Sequence, residues 1–475
     1  MTLLDEAPET AKTGGGAPAG RRALIAGALL ALFLAAADST VVGSLLPTMA
    51  RTLGHEELYP WLVSGFLLCS VLATAVAGAA ADRFGSKATM SVALLLFAAG
   101  SAGVAAAPDM PLLIAARALQ GLGAGAVVTL SYVLVGQLFD AAGRARMQGL
   151  LSGVWGLAAV VGPALGSAAQ ATVGWRWVFA LNLPIALGTA LVVARLAPGA
   201  SRGTRARARL NVPILVTFSA GLTALLTLLV SPALPALVLA GVVLIGAAAL
   251  QIAQVRRNPA ASLVPVAFVR RREIRAAAVV SIGASVVLYA SVTQLPLALT
   301  RSGATGETAS GLVVMVGALG WVGGAAVCGG LISRFGARTV ATSGAVLLAL
   351  GPLLFITTTH PSLPLAVVTQ LCVGLGTGFT TATCLVQVQN TAPAEQLGSY
   401  TGAVTLCRNV GAAVGVNLIA TIQLNAAEHL GGAEAQSASY RLAFGVLAAA
   451  GALTLLASRQ LRADPARAAA PAPQH

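Results

Sequence analysis

Charged residues are scarce in this chain, at 9% of its 475 residues, while hydrophobic residues make up 57% and the mean hydropathy is +0.85. A soluble protein carries about 25% charged residues, so this composition excludes a water-soluble chain. The apolar runs are ~18–25 residues long and show no strand-like alternation. Because lipid-facing backbone must satisfy its own hydrogen bonds, these runs predict an all-α membrane protein.

Histidine and cysteine are also few, with four and five residues respectively. The histidines are scattered along the chain, which gives no support to a metal or catalytic cluster. The sequence has no Gly-Lys-Ser/Thr phosphate loop, which argues against ATP as the energy source. The cysteines all fall in apolar runs and are interpreted as small buried residues. We therefore predict no cofactor, no metal and no enzymatic activity.

Positive charge is abundant relative to negative charge, with a net charge of +14, and it lies mainly in alternate loops. Such an asymmetry is typical of the cytoplasmic side of membrane proteins, so both termini are predicted to be cytoplasmic and the number of spans even. The basic residues would contact anionic lipid headgroups, and we expect no nucleic-acid partner. Six arginines are exceptions to this asymmetry. Four lie on the opposite side, namely Arg51, Arg176, Arg301 and Arg441, and two lie within spans, namely Arg117 and Arg408.

The apolar runs predict fourteen transmembrane helices. They are placed near 23–47, 59–80, 88–107, 111–137, 147–170, 178–195, 212–230, 234–254, 276–299, 309–332, 340–358, 363–388, 399–423 and 441–458.

The two halves of the chain resemble each other at an offset of about 250 residues. GAAADRFGSKAT at 78–89 matches GGLISRFGARTV at 329–340, QGLGAG at 120–125 matches VGLGTG at 373–378, and GPALG at 162–166 matches GAAVG at 411–415. A parallel duplication of this kind gives two six-helix bundles related by an axis along the membrane normal. The two spans left over form an inserted hairpin.

This division predicts five regions. They are a disordered cytoplasmic tail at 1–21, an N-terminal six-helix bundle at 22–196, basic loops with the inserted hairpin at 197–275, a C-terminal six-helix bundle at 276–458 and a cytoplasmic tail at 459–475.

Asp38 is the one acidic residue well inside a predicted span. A charged carboxylate there costs at least ~2.5–3.5 kcal/mol on insertion scales. The chain can tolerate it if the group faces a cavity, pairs with a cation or takes up a proton. A desolvated carboxyl group holds a proton more readily and a nearby cation opposes this, so Asp38 and the embedded Arg117 are candidates for a proton site. A static polar pair is the alternative.

Six segments form recognisable motifs spread over nearly all of 22–458. They are Asp38-Ser-Thr-Val-Val-Gly-Ser-Leu-Leu-Pro47, Gly78-Ala-Ala-Ala-Asp82-Arg83-Phe-Gly85-Ser-Lys87, Arg117-Ala-Leu-Gln120-Gly121, Gly156-Leu-Ala-Ala-Val-Val-Gly162-Pro163-Ala-Leu-Gly166, the Trp175–Pro184 segment and Arg408-Asn-Val-Gly-Ala-Ala-Val-Gly415. Together they resemble the motifs of the major facilitator superfamily, in particular its fourteen-helix drug:proton antiporter branch. Gly43, Ser86 and Ser167 stand where the branch usually has Asn, a basic residue and Gly.

The resemblance implies proton-coupled export by alternating access, with Asp38 binding the proton and Arg117 tuning it. Gly78, Asp82, Arg83, Gly85 and Lys87 would form a conformational latch, for which a simple topology signal is the alternative. Gly162, Pro163 and Gly166 form the antiporter motif, which implies a seal against leakage, although ordinary tight packing would need the same residues.

Candidate substrate contacts are Tyr289, Gln294, Trp321, Gln370 and Arg408, since a few polar groups in an apolar pocket suit amphipathic ligands. For Arg408 the alternative is snorkelling to the membrane edge, and for each of the other four it is ordinary packing. The expected cargo is a lipophilic cationic or neutral small molecule, as in multidrug efflux. A dedicated exporter of a natural product or lipid, a proton-coupled nutrient importer and a channel are the alternatives.

The resemblance and the charge pattern place the protein in a bacterial inner membrane. Its expected partners are the small-molecule substrate, protons and the lipid bilayer. One chain contains a complete pathway, so it is expected to act as a monomer.

Overall fold

The protein is described by a computed structural model covering residues 18–53, 59–196, 264–301, 307–356, 362–430 and 433–462, together with scattered positions between 213 and 256. These residues form helices and no strands. The helices are α1 (Pro18–Leu53), α2 (Tyr59–Phe84), α3 (Ser86–Ala106), α4 (Met110–Leu138), α5 (Ala141–Thr172), α6 (Arg176–Leu196), α7 (Ala267–Arg270), α8 (Arg272–Arg301), α9 (Glu307–Phe335), α10 (Ala337–Ile356), α11 (Leu363–Thr391), α12 (Leu397–Leu430) and α13 (Ala433–Ser458).

Twelve of these helices are long, and eleven contain a stretch that is long and apolar enough to cross a membrane. The all-α prediction is therefore confirmed. The predicted hairpin at 212–230 and 234–254 falls mostly outside the described residues, so the total of fourteen spans stays a prediction. The observed helices are longer than predicted because several continue beyond the apolar run into polar flanks, as α1 does at both ends.

Sequence-encoded turns and caps end the helices. Asp109 and Asp140 are the N-caps of α4 and α5, where their side chains accept hydrogen bonds from the amides of Leu112 and Gly143. The two Arg-Phe-Gly repeats each separate two helices with a glycine at positive φ, 87° at Gly85 and 84° at Gly336. Only glycine adopts this conformation without strain, so both copies make the same sharp turn.

The long helices pack as two bundles, α1–α6 and α8–α13, with the same internal pairs. In the first bundle α2 and α3 pack on α4, while α1 packs on α5 and α3 on α6. In the second, α9 and α10 pack on α11, while α8 packs on α12 and α10 on α13. Contacts between bundles repeat as well, since α2 meets α12 and α5 meets α9. This is the arrangement expected of a parallel duplication.

The bundles are joined at one end, which we call the basic end because it carries Arg83, Lys87, Arg146, Arg338 and Arg459. A single buried cluster there combines residues of both bundles, among them Ile25, Met147, Leu151, Ile274, Val388 and Tyr400. Toward the opposite end the clusters are confined to one bundle each, with Met49 and Phe179 in one, and Leu299 and Phe444 in the other. The described contacts therefore close the space between the bundles at the basic end.

Candidate functional site

Asp38 lies inside the first bundle and is paired with Arg117. Nη1 of Arg117 donates to Oδ2 of Asp38 at 2.7 Å, and the exposed fractions of the two residues are 2% for Arg117 and 3% for Asp38. The aromatic ring of Phe66 covers the guanidinium, with its centroid 4.1 Å from Cζ. The ion pair is thus enclosed by protein, where a cation–π contact adds to its stabilisation.

Neutral donors complete the coordination of this carboxylate. Nε2 of Gln120 and Nδ2 of Asn182 donate to Oδ1 of Asp38 at 2.8 Å and 3.1 Å. Gln120 also accepts from Arg117 at 2.6 Å and donates to Oγ of Ser101 at 2.8 Å. Four helices, α1, α3, α4 and α6, therefore meet at one charged group.

This arrangement makes a proton and the Arg117 pair compete for Asp38. Both carboxylate oxygens accept bonds from donors, three in all. A proton on Asp38 would remove the negative charge that pairs with Arg117 and would add an O–H donor among these donors, while the carboxyl group keeps part of its acceptor capacity. Chemically, the site can hold either a carboxylate in an ion pair with Arg117 or a carboxylic acid whose bonds to α4 and α6 are weaker.

The antiporter motif lies directly beside this site. A Cβ atom on Gly162 would collide with the side chain of Thr40, and would lie 3.2 Å from the carbonyl oxygen of Ala37. Oγ1 of Thr40 in turn donates to the carbonyl of Ala158 at 2.9 Å. The motif therefore holds α5 against the turn of α1 that carries Asp38. Gly166 is buried, and the side chain of Pro163 lies outside the described ones.

Asp82 connects the two bundles at the basic end. It lies in the last turn of α2 and accepts hydrogen bonds at 2.7 Å from the backbone amides of Gly398 and Ser399, and at 2.5 Å from Oγ of Ser399. These amides are at the N-terminus of α12, where a negative charge is favoured. A Cβ on Gly78 would lie only 2.8 Å from the carbonyl carbon of Gly398, so glycine is required for this close approach.

The other residues of the expected latch have different surroundings. Arg83 is placed with its guanidinium over the ring of Phe84, 4.9 Å from the centroid. Gly85 makes the turn described above, and Lys87 lies in the first turn of α3. In the second copy, Ser333 replaces the acid and its hydroxyl bonds within its own helix, to the carbonyl of Gly330. The carboxylate contact is therefore made by the first copy.

Arg144 makes a second connection between the bundles at this end. Its guanidinium donates to the carbonyl of Gly136 at 2.6 Å, in the last turns of α4, and to the carbonyl of Gln389 at 3.2 Å and Oδ1 of Asn390 at 2.8 Å in α11. A cation at two helix C-termini is electrostatically favourable. The Gln389 amide also donates across the bundles, to the carbonyl of Tyr132 at 3.0 Å.

The expected substrate contacts lie in the second bundle. The guanidinium of Arg408 in α12 lies over the ring of Tyr132 in α4, 5.5 Å from its centroid, and also interacts with Tyr289 of α8. Arg408 is therefore directed across the space between the bundles, not along the helix toward the membrane edge. Trp321 contacts Trp155 of the first bundle with ring centroids 6.1 Å apart.

The remaining two candidates are more enclosed. Gln370 is fully buried beside Gly317, and neither its amide nitrogen nor its oxygen has a hydrogen-bond partner among the described residues. Gln294 is 5% exposed, with its amide oxygen likewise unpartnered in that part of the chain. The structure thus brings Arg408, Tyr289 and Trp321 to the boundary between the bundles, whereas it places Gln370 and Gln294 within the second bundle.

Sequence reasoning missed Gln120, Asn182 and Ser101 as members of the Asp38 site. Gln120 had a usable signal, because it follows Arg117 by one helical turn and shares its face. Asn182 stands out only as an amide in an apolar helix, and Ser101 has no signal of its own. Arg144 and Tyr132 were also overlooked, since their partners are distant in the sequence.

Comparisons with known proteins agree with this architecture. The family model described as Major Facilitator Superfamily matches residues 28–416. The multidrug transporter protein MdtP of Bacillus subtilis is 25% identical over 85% of this chain and 75% of its own length. The acurin A biosynthesis cluster transporter of Aspergillus aculeatus is 42% identical, but the match spans 35% of this chain and 30% of that protein.

Among solved structures, that of the human organic anion transporter MFSD10 (TETRAN) superposes with a TM-score of 0.68 over 91% of this chain and 99% of that one. At 17% identity this likeness shows the fold alone. Together with the duplicated bundles and the family-model match, it leads to one conclusion: the chain is a membrane transporter that belongs to the major facilitator superfamily.

Proposed function

We propose that the protein is a proton-coupled exporter of lipophilic small molecules that works by alternating access. The observation that carries this proposal is the buried Asp38, whose carboxylate is shared by Arg117, Gln120 and Asn182. A proton arriving at Asp38 weakens its bonds to these donors and loosens α1 from its neighbours. Proton occupancy is thereby converted into a change of packing within the first bundle.

The second element of the mechanism is the closed seam, our name for the contacts of Asp82, Arg144 and the mixed apolar cluster that join the bundles at the basic end. With this end in the cytoplasm, as the positive charge predicts, the described contacts correspond to a state open to the outside. Asp82 on α12 and Arg144 on α11 would hold this state, and their release would let the bundles rock about the central axis. The turn between α2 and α3 would move with the first bundle, and it comprises Gly85 with Gly78, Arg83 and Lys87 in the flanking helices.

The relatives support export as the direction of transport. One similar protein is named a multidrug transporter and others are named efflux pumps, including FUS6 of Gibberella fujikuroi at 36% identity over 34% of this chain. We extend this to multidrug efflux through the fourteen-helix antiporter branch in a bacterial inner membrane, with both termini cytoplasmic and one chain as the working unit. A dedicated natural-product exporter fits the same residues, and one of these relatives is named for a biosynthesis cluster.

The test is proton movement in proteoliposomes holding purified protein, an imposed proton gradient and a pH-sensitive dye in the lumen. We expect a panel of lipophilic cationic, neutral and acidic compounds to include some that accelerate proton flux. The Asp38→Asn variant should abolish this acceleration.

The matched control is Asp109→Asn, at the exposed N-cap of α4, where asparagine also caps a helix. It should behave as the unchanged protein. Compound-driven proton flux that survives in folded Asp38→Asn would refute the coupling role of Asp38. If no compound in the panel accelerates proton flux, proton-driven export of this class is refuted.

A further inference from the structure

Arg408 is a second charged group deep in the membrane region, and the Asp38 mechanism does not use it. It lies eleven residues after the start of α12, which corresponds to about 16 Å and a third of the length of this 34-residue helix. A cation inside an apolar bundle is costly unless it faces water, a cavity or a counter-charge. Its presence therefore calls for a compensating group.

The described residues supply no carboxylate for it, and the embedded acid Asp38 is held by Arg117. The guanidinium lies beside the phenol groups of Tyr132 and Tyr289 instead. The side chain also keeps part of its surface exposed although it lies between two bundles. A partly exposed cation that has no carboxylate partner among the described residues can accept one from a ligand.

The surroundings of Arg408 suit an aromatic or otherwise flat lipophilic body. Tyr132 belongs to the buried cluster against which Trp155 packs, Trp155 contacts Trp321, and Trp321 packs against the same small cluster as Tyr289. The indole nitrogen of Trp155 is buried and has no hydrogen-bond partner among the described residues. One tyrosine ring from each bundle thus lies at the cation, and the clusters around these two tyrosines extend to the Trp155–Trp321 pair, which has an unused N–H donor.

We propose that this region, formed by Arg408, Tyr132, Tyr289, Trp155 and Trp321, recognises substrates that carry an acidic group on a lipophilic body. The carboxylate would take the planar guanidinium, for which bidentate binding is favoured, and the body would lie against the rings. The proposal deepens the proposed export function and depends on it for direction of transport. The proposed substrate is acidic, whereas the sequence predicts a cationic or neutral one. A cationic substrate would be repelled by the positive charge of Arg408.

The experiment is equilibrium binding by isothermal titration to purified protein in detergent, without any gradient. The probes share one body: 2-naphthoic acid, 2-naphthamide and 2-naphthylmethylamine at neutral pH. We expect the acid to bind about tenfold or more tightly than the amide, a difference of about 1.4 kcal/mol, because hydrogen bonds between charged groups are stronger than those of a neutral amide. The amine should bind most weakly.

Variants assign the preference to the residue. Arg408→Gln should make acid and amide bind equally, whereas Arg408→Lys should keep a reduced preference, because lysine retains the charge and loses the planar fork. Arg441→Gln, an exposed arginine of the same bundle, should change nothing. Should Arg408→Gln fail to fold, as judged by gel filtration, Arg408→Lys and Tyr289→Phe provide the comparison, each with a weakened preference for the acid.

Equal binding of acid and amide to the unchanged protein would overturn the proposal. A preference for the acid that persists in folded Arg408→Gln would also overturn it, and so would a preference that is unchanged in both Arg408→Lys and Tyr289→Phe. Failure of the export proposal gives a different pattern. In that case the acid preference remains in the binding measurement, in the unchanged protein and in Asp38→Asn alike, while compound-driven proton flux is absent.

Discussion

At the scale of single residues, Asp38 and Arg117 depend on each other, and the structure makes the dependence unequal. A carboxyl group left without a cation can be neutralised by a proton, whereas an arginine cannot lose its charge. Removing the acid therefore leaves a worse defect than removing the base. The surrounding amides of Gln120 and Asn182 cannot replace the lost negative charge because they are neutral, although Gln120 already accepts one hydrogen bond from Arg117.

We accordingly predict that Asp38→Asn destabilises the protein by about 3–5 kcal/mol, the usual result of breaking a buried ion pair. Arg117→Gln should cost less, and the double variant should be more stable than Asp38→Asn alone. Thermal unfolding of the four proteins in one detergent forms a double-mutant cycle that measures this coupling. Strictly additive effects would mean that the two side chains are energetically independent, contrary to their 2.7 Å contact.

The residue scale also shows what could be read from sequence. Asp38 and Arg117 were predictable because an ionised group in an apolar run is expensive and therefore conspicuous. Ser101 and Asn182 were not, since an uncharged polar side chain costs too little in a helix to mark it. The partners of Asp82 were hidden for another reason: Gly398 and Ser399 lie more than 300 residues further along the chain, and local patterns carry no information about such contacts.

At the scale of helices, the packing of α5 on α1 positions the proton site. Gly162 allows the two helices to approach beside Thr40, whereas Gly153, on the same helix, has open space around the position of a Cβ atom. The two glycines have identical backbone chemistry and different neighbours. They form a matched pair for testing the role of the antiporter motif.

Gly162→Ala should force Thr40 and its turn of α1 to shift, at a cost of about 1–3 kcal/mol as is typical of overpacking. Because that turn carries Asp38, compound-driven proton flux in proteoliposomes should fall, while Gly153→Ala should leave it unchanged. Equal flux in both variants would reduce the motif to ordinary helix packing.

A second helix-level feature is the carboxylate of Asp82 on the N-terminus of α12. In Asp82→Asn the charge is lost, and one oxygen is replaced by an amide group that faces the backbone N–H donors. We expect the basic end to open more often. Spin labels at Arg146 and Arg338, both exposed at this end, would report a larger population of long distances by pulsed electron resonance.

Glu395→Gln is the control for this measurement, because Glu395 is an exposed acid in the 3₁₀ turn just before α12. It removes the same charge close by, and the structure describes no hydrogen bond or ion pair of the Glu395 side chain across the bundles. Identical distance distributions in Asp82→Asn, Glu395→Gln and the unchanged chain would show that Asp82 does not hold the bundles together.

At the scale of the whole molecule, the duplication was predictable and its asymmetry was only partly so. The two Arg-Phe-Gly turns have the same backbone, yet only the first copy places an acid on the opposite bundle, as the replacement of Asp82 by Ser333 indicated. The conformation was not predictable, because the closed seam depends on pairs such as Arg144 with Asn390 that lie in different halves. Hydrophobic patterning places helices in the membrane and does not say which ends of them meet.

The seam gives a prediction about the balance between the two states of the transporter. Asp82 and Arg144 act on different helix pairs, α2 with α12 and α5 with α11, and share no partner, so their effects should add. The side chain in Asp82→Asn keeps an oxygen acceptor and that in Arg144→Gln keeps an amide donor, so we assign each substitution a loss of roughly 1.5–3 kcal/mol, the contribution of one hydrogen bond to a charged group. Reversing a 99:1 equilibrium takes about 5.5 kcal/mol. Asp82→Asn or Arg144→Gln alone should therefore shift the distances between labels at Arg146 and Arg338 partially, and the double variant should favour the long distances. A double variant no more open than either single one would mean that the apolar cluster of both bundles, and not these two charged contacts, sets the closed state.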